Sequence, residues 1–140
     1  MAFPENGSRQ MVIDSSALLA ILLGESDAEI FIAAMERSPR RYLSAVQLLE
    51  TAIVVEARKG RAGGREMDIL LHQAQVQVVN FTAELAETAR RAWRQWGKGN
   101  HAAALNYCDC CAYALAREMG EPLLFKGEDF RRTDVQAVIS

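Results

Sequence analysis

The sequence lacks the features that mark membrane proteins and disulfide-bonded secreted domains. No apolar run approaches the roughly 18 residues that a membrane-spanning helix needs. Residues 1–10 contain no apolar segment of the kind found in a secretory signal. The chain has only three cysteines, all within residues 108–111, and an odd, crowded set does not form a disulfide framework. We therefore expect a protein of the reducing cytoplasm that has no membrane association.

The chain also has little net charge of either sign. Its 16 Lys and Arg residues against 18 Asp and Glu residues give a net charge of −2, which argues against broad, non-specific binding to nucleic acid. A local basic surface remains compatible with this balance. With 140 residues, half of them hydrophobic, the chain can bury a real core. We predict a disordered leader or cloning remnant at residues 1–10 and a single domain at residues 11–140.

Short apolar runs alternate with helical patterns along the chain. Strands are predicted at residues 11–13, 41–43, 76–79 and 123–125, with a last edge strand at 135–138. Helices are predicted at residues 17–23, 26–37, 44–59, 65–74, 82–96 and 109–119, with a loop at 61–64. Capping boxes are expected at Ser26 and at Ser44 with Gln47. This alternation predicts a three-layer α/β/α domain around a mainly parallel sheet of four to five strands.

Four acidic residues occur among apolar neighbours. Asp14 and Asp129 come at or shortly after strand-like runs, Asp109 stands at the head of an apolar helix, and Glu50 lies within another helix. An unpaired carboxylate in such surroundings costs on the order of several kcal/mol to desolvate. Ligands of parallel α/β sheets bind beyond the carboxyl ends of the strands, so we expect the four acids to share one cation site. Each acid alone also fits a turn, a helix cap or a solvent-exposed position.

The remaining clusters have simpler interpretations. The cysteines of residues 108–111 point to different sides of one helix and lack a second pair, so we expect core filling rather than a zinc site with His101. Trp93 and Trp96 are expected in the core or an interface, with base stacking as the alternative. A basic set is either a solvated helix face or a group of RNA phosphate contacts: Arg90, Arg91, Arg94 and Lys98.

Five segments of the chain together carry a family resemblance. They are VIDSSAL at 12–18, LE at 49–50, LNYCDC at 105–110, LLFKGEDF at 123–130 and TD at 133–134. Their order and spacing resemble the PIN-domain ribonucleases, and more narrowly the VapC toxins of type II toxin–antitoxin (VapBC) pairs. The resemblance spans essentially residues 11–138. It implies a PIN-like fold and a Mg²⁺-dependent endoribonuclease, with Mn²⁺ as a substitute, that leaves 5′-phosphate and 3′-hydroxyl ends.

The resemblance also assigns expected roles to single residues. The family's metal-binding acids fall on Asp14 and Asp109, and its further catalytic acids fall on Glu50 and Asp129, which bind a second ion or orient water. Supporting positions of the family fall on two more residues: Ser16 and Asn106.

Partners are implied in the same way. The expected partners are RNA, a VapB-like antitoxin that places a basic side chain among the acids, and a second copy of the chain. The expected assemblies are a homodimer and a toxin–antitoxin hetero-oligomer. Apolar side chains of the first helices are expected on the dimer surface: Leu18, Leu19, Leu22, Leu23 and Phe31.

One departure from the family pattern, one ambiguity and two other functions stay open at this point. Relatives commonly have Gly just before the third acid, where this chain has Cys108, so Asp109 is expected to shift if that backbone needs glycine's freedom. The fourth acid is either Glu128 or Asp129, and we favour Asp129. The alternatives to a nuclease are a catalytically weak PIN-like binding module and a phosphatase that uses Asp14. The phosphatase usually needs a second Asp two residues later, where this chain has Ser16.

Overall fold

The computed structural model of the protein describes residues 9–139. The helices of this part are α1 (Ser15–Leu22), α2 (Ala28–Glu36), α3 (Ala45–Gln73), α4 (Ala83–Trp96) and α5 (Tyr107–Met119). The strands are β1 (Met11–Ile13), β2 (Arg41–Ser44), β3 (Val76–Val79) and β4 (Leu123–Leu124). No helix in residues 9–139 combines the length and apolar character needed to cross a membrane.

The predicted leader falls largely on residues 1–8, which lie outside the described residues. Arg9 and Gln10 are described, and both side chains hydrogen-bond to Glu121 just before β4. The described chain therefore begins two residues ahead of the predicted domain boundary.

The four strands form one parallel sheet in the order β3-β2-β1-β4. In the register, Val12 of β1 lies beside Tyr42 of β2 on one side and Leu123 of β4 on the other. The fifth strand predicted at residues 135–138 is wrong, because this segment meets β4 only at an isolated bridge between Ala137 and Leu123. With only two residues, β4 offers too short an edge for a further ladder.

Alternating side chains of the strands divide the core into two halves. Val12, Tyr42 and Leu123 pack against α4 and α5. Ile13 and Leu43 are directed to the other face, where α1, α2 and α3 cover them. Both faces of the sheet are thus buried, as parallel sheets require, and the predicted three-layer α/β/α arrangement is confirmed. Each large side chain buried in this way contributes about 1.5–3 kcal/mol.

Helix α3 bends sharply at Gly60, whose φ of 69° and ψ of −164° are not helical. The predicted break at Gly60 is confirmed, but the predicted loop at 61–64 is wrong because the chain resumes its helix at once. A Cβ atom at Gly63 would collide with Val55 and with Lys59 Cβ, whereas one at Gly64 would meet only the flexible side chain of Glu56. Gly63 therefore allows the second half of α3 to pack directly against the first half.

Helix ends follow the predicted signals in some places only. Thr82 accepts a hydrogen bond from Leu85 N–H at the start of α4, and Gly120 closes α5 in the left-handed region. The capping box at Ser26 is wrong, because Asp27 precedes α2 and its side chain makes no capping hydrogen bond. Ser44 does cap α3, but the Gln47 side chain points elsewhere.

The predicted dimer surface on the first helices is also wrong in part, because most of its apolar side chains are buried. Leu18, Leu22 and Phe31 are buried in the core half beneath α1 and α2. Leu19 and Leu23 are only partly exposed. Leu18, Leu22 and Phe31 hold α1 and α2 onto the sheet, and Leu19 packs against them.

Candidate active site at the carboxyl edge of the sheet

Asp14 lies at the centre of the site, directly after the central strand β1. Its backbone N–H donates to Leu124 O at 2.8 Å, and its Oδ2 atom accepts from the N–H of Ser16 at 3.0 Å, capping α1. The residue is only 3% exposed, and its Oδ1 atom is buried without a hydrogen-bond partner in the structure. Burial raises the pKa of Asp14 to about 7, against the lowering effect of the Ser16 hydrogen bonds.

Gln47 holds the framework around Asp14 together, a role that sequence reasoning missed. Its side chain is fully buried in the first turn of α3. Gln47 Oε1 accepts from Ser15 N–H at 2.7 Å, and Nε2 donates to Cys108 O at 2.7 Å. One side chain therefore links the starts of α1 and α5, the two helices that carry Asp14 and Asp109.

Glu50 lies one turn beyond Gln47 on the same side of α3. Its Oε1 accepts from the hydroxyl of Ser15 at 2.6 Å, which fixes the carboxylate toward the end of β1. Glu50 is partly buried. The apolar sequence around Glu50 therefore did indicate an acid directed away from open solvent.

Asp109 takes part in a reciprocal cap with Asn106 at the start of α5. Asp109 N–H donates to Asn106 Oδ1 at 2.8 Å, and Asn106 N–H donates to Asp109 Oδ2 at 3.0 Å. The helix begins at Tyr107, two residues earlier than predicted. Burial raises the pKa of Asp109, and the charges of Glu50 and Asp129 raise it further.

The four predicted acids lie near enough to one another for their charges to interact. The negative charges of Asp109 and Glu50 both raise the pKa of Asp14, and Asp129 acts in the same way on Asp109. Asp129 is exposed in the turn that follows β4. The neighbouring Glu128 instead pairs with Arg131 at 3.8 Å. This geometry favours Asp129 over Glu128 as the fourth acid.

The residues of this site fit a hard divalent cation. Within residues 9–139, no three Asp, Glu, His or Cys side chains already lie at the spacing that encloses an ion. Nevertheless, the unpartnered and buried Asp14 Oδ1 is a free carboxylate acceptor beside further carboxylates. Carboxylate oxygens are the ligands that Mg²⁺ and Mn²⁺ prefer, and a cation would offset the repulsion between them.

Ser16 connects the site to the turn after β4. Its hydroxyl accepts from Lys126 N–H at 2.9 Å, while its N–H caps Asp14. The Lys126 ammonium pairs with Glu25 at 2.5 Å and with Asp27 at 3.2 Å, so it is held by other acids. Ser16 thereby positions both Asp14 and the segment that leads to Asp129.

Cys108 does not distort the backbone before Asp109. In residues 9–139, the non-glycine residues with positive φ are Gln75 and Ala104, so Cys108 has an ordinary helical conformation. The condition on which a displacement of Asp109 was expected is therefore not met. Burial and the nearby Glu50 raise the pKa of the Cys108 thiol to about 12. The other two cysteines are buried against the sheet, as predicted.

The predicted basic set lies on α4 and in the turn after it, and all four side chains are exposed. Arg90 pairs with Glu87 at 2.7 Å, and Arg91 donates to Thr88 Oγ1 at 3.2 Å. Trp96 is partly buried and donates to Tyr113 Oη, which agrees with a core role. Trp93 is 48% exposed and lies outside the core.

Comparison with known proteins identifies the family. The model of the PIN domain matches residues 11–136. "Ribonuclease VapC" of Mycolicibacterium smegmatis is 56% identical over 91% of this chain and 99% of its own length. "Ribonuclease VapC30" of Mycobacterium tuberculosis is 55% identical over 91% of this chain and 98% of its own length.

Solved structures share the fold at much lower sequence identity. VapC20 of Mycobacterium tuberculosis, described as a sarcin–ricin loop cleaving toxin, has a TM-score of 0.74 at 19% identity, covering 89% of this chain and 95% of that one. VapBC2 of Rickettsia felis, bound to a promoter DNA fragment, has a TM-score of 0.71 at 12% identity, covering 91% and 96%. The chain therefore belongs to the PIN domain family and, within it, to the VapC ribonucleases.

Proposed function

We propose that this chain is a Mg²⁺-dependent endoribonuclease of the cytoplasm and the toxin of a VapBC-type pair. The observation that carries the proposal is the buried Asp14 Oδ1, which lacks a partner at the carboxyl edge of the sheet beside two further acids. A carboxylate so placed destabilises the fold unless a cation or a proton neutralises it. The position of Asp14 is therefore consistent with a cation-dependent site.

The proposed chemistry is hydrolysis of an RNA phosphodiester bond. Asp14 and Asp109 would hold Mg²⁺, with Mn²⁺ as a substitute, and the ion would supply electrostatic stabilisation and a more acidic water. Glu50, oriented by Ser15, and the exposed Asp129 would bind a second ion, or orient and deprotonate the attacking water.

RNA as the substrate is supported by the relatives. Those at 55–56% identity over nearly their whole length are named ribonucleases. Carboxylates alone do not distinguish RNA from DNA. The relatives therefore carry this step, while the geometry supports a cation-dependent site.

An antitoxin and a second copy of the chain are the proposed protein partners. Solved relatives of the same fold include a toxin–antitoxin complex of Klebsiella pneumoniae and a DNA-bound VapBC of Salmonella typhimurium. A basic side chain placed among Asp14, Glu50 and Asp109 would neutralise them and occupy the place of the cation. Sedimentation at micromolar concentration tests the homodimer, and a purely monomeric protein would contradict it.

The deciding experiment is cleavage of a panel of tRNA and rRNA fragments by the wild type and by Asp14→Asn. We expect cleavage that requires Mg²⁺ or Mn²⁺, stops in EDTA and is absent in the variant. Asp68→Asn, which alters an exposed acid on α3, serves as the matched control and is expected to cleave normally. Cleavage that persists in Asp14→Asn or in EDTA would refute the proposal.

A further inference from the structure

The turn that carries Asp129 is held to the rest of the domain at its two ends. Residues 127–129 are exposed, whereas Phe130 is buried in the core half that contains α4 and α5. At the other end of the turn, Lys126 directly follows the buried Phe125. The position of the Asp129 carboxylate therefore depends on Phe130 and on the contacts that hold Lys126.

Lys126 makes three hydrogen bonds with the first two helices and the turn between them. Its backbone N–H donates to Ser16 Oγ at 2.9 Å, at the start of α1. Its ammonium donates to Glu25 Oε1 at 2.5 Å and to Asp27 Oδ1 at 3.2 Å. We call Lys126, Glu25 and Asp27 the latch, because they join the turn after β4 to the turn between α1 and α2.

The two carboxylates of the latch are presented by a well-held backbone. Glu25 N–H donates to Ala20 O at 2.9 Å, and Glu25 O accepts from Ala28 N–H at 3.0 Å. Asp27 stands before α2, where an aspartate ordinarily accepts a backbone N–H of the first turn. Its side chain makes no such bond and accepts from Lys126 instead. The contact across the domain is therefore made in place of the local one.

A bend in the backbone passes the position of Lys126 on to Asp129. Gly127 follows Lys126 directly and has a φ of 103°, a conformation that favours glycine. The chain therefore changes direction at the residue next to the latch. The charge of Asp129 contributes to the raised pKa of Asp109, so the turn brings Asp129 near the other acids. A movement of Lys126 would thus move Asp129 relative to Asp109.

A direct contact between Lys126 and the RNA is the competing role for this side chain. The charges of the latch argue against it, because two carboxylates outweigh one ammonium. Such a group repels a phosphate more than it attracts one. The geometry therefore favours a role for Lys126 within the protein.

We propose that Lys126 is a positioning residue for Asp129, and that its ion pairs with Glu25 and Asp27 hold that carboxylate beside the other acids. The inference rests on the proposed ribonuclease function and adds a residue that acts through Asp129. A misplacement of about 1 Å can slow an enzyme about a hundredfold. Partly exposed ion pairs are weak, however, so breaking them leaves the correct position partly populated. We therefore expect a loss of about threefold to tenfold in kcat.

The first test compares three lysine variants in RNA cleavage with Mg²⁺. Lys126→Met should lower kcat about threefold to tenfold with little change in KM, because the substrate contacts remain. Lys126→Arg should recover most of the rate, since it keeps the positive charge. Lys59→Met is the matched control, because Lys59 has the same 39% side-chain exposure and pairs with Glu66 on α3. An equal loss of kcat in Lys59→Met would overturn the inference.

Two combined variants test whether Lys126 acts through Asp129. Asp129→Asn together with Lys126→Met should cleave no more slowly than Asp129→Asn alone, and losses that multiply would overturn the inference. Glu25→Gln together with Asp27→Asn should slow cleavage as Lys126→Met does. If Lys126 contacted the RNA directly, freeing it from these carboxylates would preserve or raise the rate, and that result would also overturn the inference.

Hydrogen exchange followed by mass spectrometry separates failure of the latch from failure of the proposed function. The N–H groups of Lys126 and of residues 131–133 are hydrogen-bonded and report on the turn. In EDTA without RNA, Lys126→Met should speed their exchange about threefold or more and leave α5 unchanged. If the wild type cleaves RNA and this exchange is unchanged in Lys126→Met, the latch inference fails and the nuclease stands. If the wild type does not cleave but the exchange is faster in Lys126→Met, the proposed function fails and the hold of Lys126 on the turn stands.

Discussion

Replacing Asp14 by Asn is expected to stabilise the metal-free protein while it abolishes cleavage. Burial raises the pKa of Asp14 from 3.8 to about 7. Between these two pH values the folded protein keeps a proton that the unfolded chain has released. Stability should therefore fall as the pH rises through this window, and most of the loss is complete near pH 7. A pKa difference of this size corresponds to a free-energy cost on the order of 4 kcal/mol.

Asparagine removes this cost because it has no charge to desolvate. Its side-chain oxygen can still accept from Ser16 N–H, and its amide can donate toward Glu50 or Asp109. At pH 7.5 in EDTA, we expect Asp14→Asn to raise the free energy of unfolding by about 2–4 kcal/mol. At pH 4, where Asp14 is protonated in the folded state, the gain should nearly vanish.

The assay is urea denaturation at pH 4 and pH 7.5, in EDTA and in Mg²⁺. Added Mg²⁺ should stabilise the wild type, because a ligand that binds only the folded state shifts the unfolding equilibrium, and should have little effect on Asp14→Asn. Asp68→Asn controls for the loss of one exposed negative charge. If Asp14→Asn and the wild type are equally stable at pH 7.5 in EDTA, the Asp14 carboxylate is not a desolvated charge that needs a cation to offset it.

Three further experiments test the rest of the site. Gln47→Leu should lower the free energy of unfolding by about 2–4 kcal/mol in urea titrations, because Ser15 N–H and Cys108 O lose their buried partner. A loss below about 0.5 kcal/mol would contradict this role of Gln47. Asp129→Asn should slow RNA cleavage at least about tenfold, whereas Glu128→Gln should slow it less than about twofold. The reverse order of the initial rates would assign the role of the fourth acid to Glu128. Cys108→Gly should cost about 1 kcal/mol in thermal melts and leave cleavage within about threefold, whereas a large gain in rate would show that the thiol impairs Asp109.

The layered fold could be predicted because its signals are local. The apolar run that forms β1 and the alternating pattern that forms β3 specify short strands, and the Thr82 and Gly120 caps mark helix ends. The edge of the sheet could not be predicted in this way. Residues 135–138 are apolar enough for a strand, but pairing depends on β4, which is only two residues long. Whether residues 135–138 form a strand therefore depends on the length of β4 and not on their own sequence.

The helical path of residues 61–64 escaped prediction for a related reason. Two adjacent glycines ordinarily signal a loop because they weaken a helix by about 1 kcal/mol each. Here Gly63 lies against Val55 and Lys59, and a larger side chain at this position would collide with both. The contact between the two halves of α3 therefore outweighs the local preference, and no local pattern contains that contact.

That these acids lie near one another could be predicted from the sequence, but their spacing could not. Asp14 ends a strand, Asp109 begins a helix, and each was recognisable because a charge is costly among apolar neighbours. Gln47 sets the distance between them. Its buried side chain hydrogen-bonds to Ser15 N–H, next to Asp14, and to Cys108 O, next to Asp109. A glutamine three residues after a helix-capping serine reads locally as part of a capping box, so its long-range role has no local signature. Because Gln47 and Glu50 lie one turn apart on α3, the same helix both spaces the two acids that we propose hold the cation and supplies a third carboxylate.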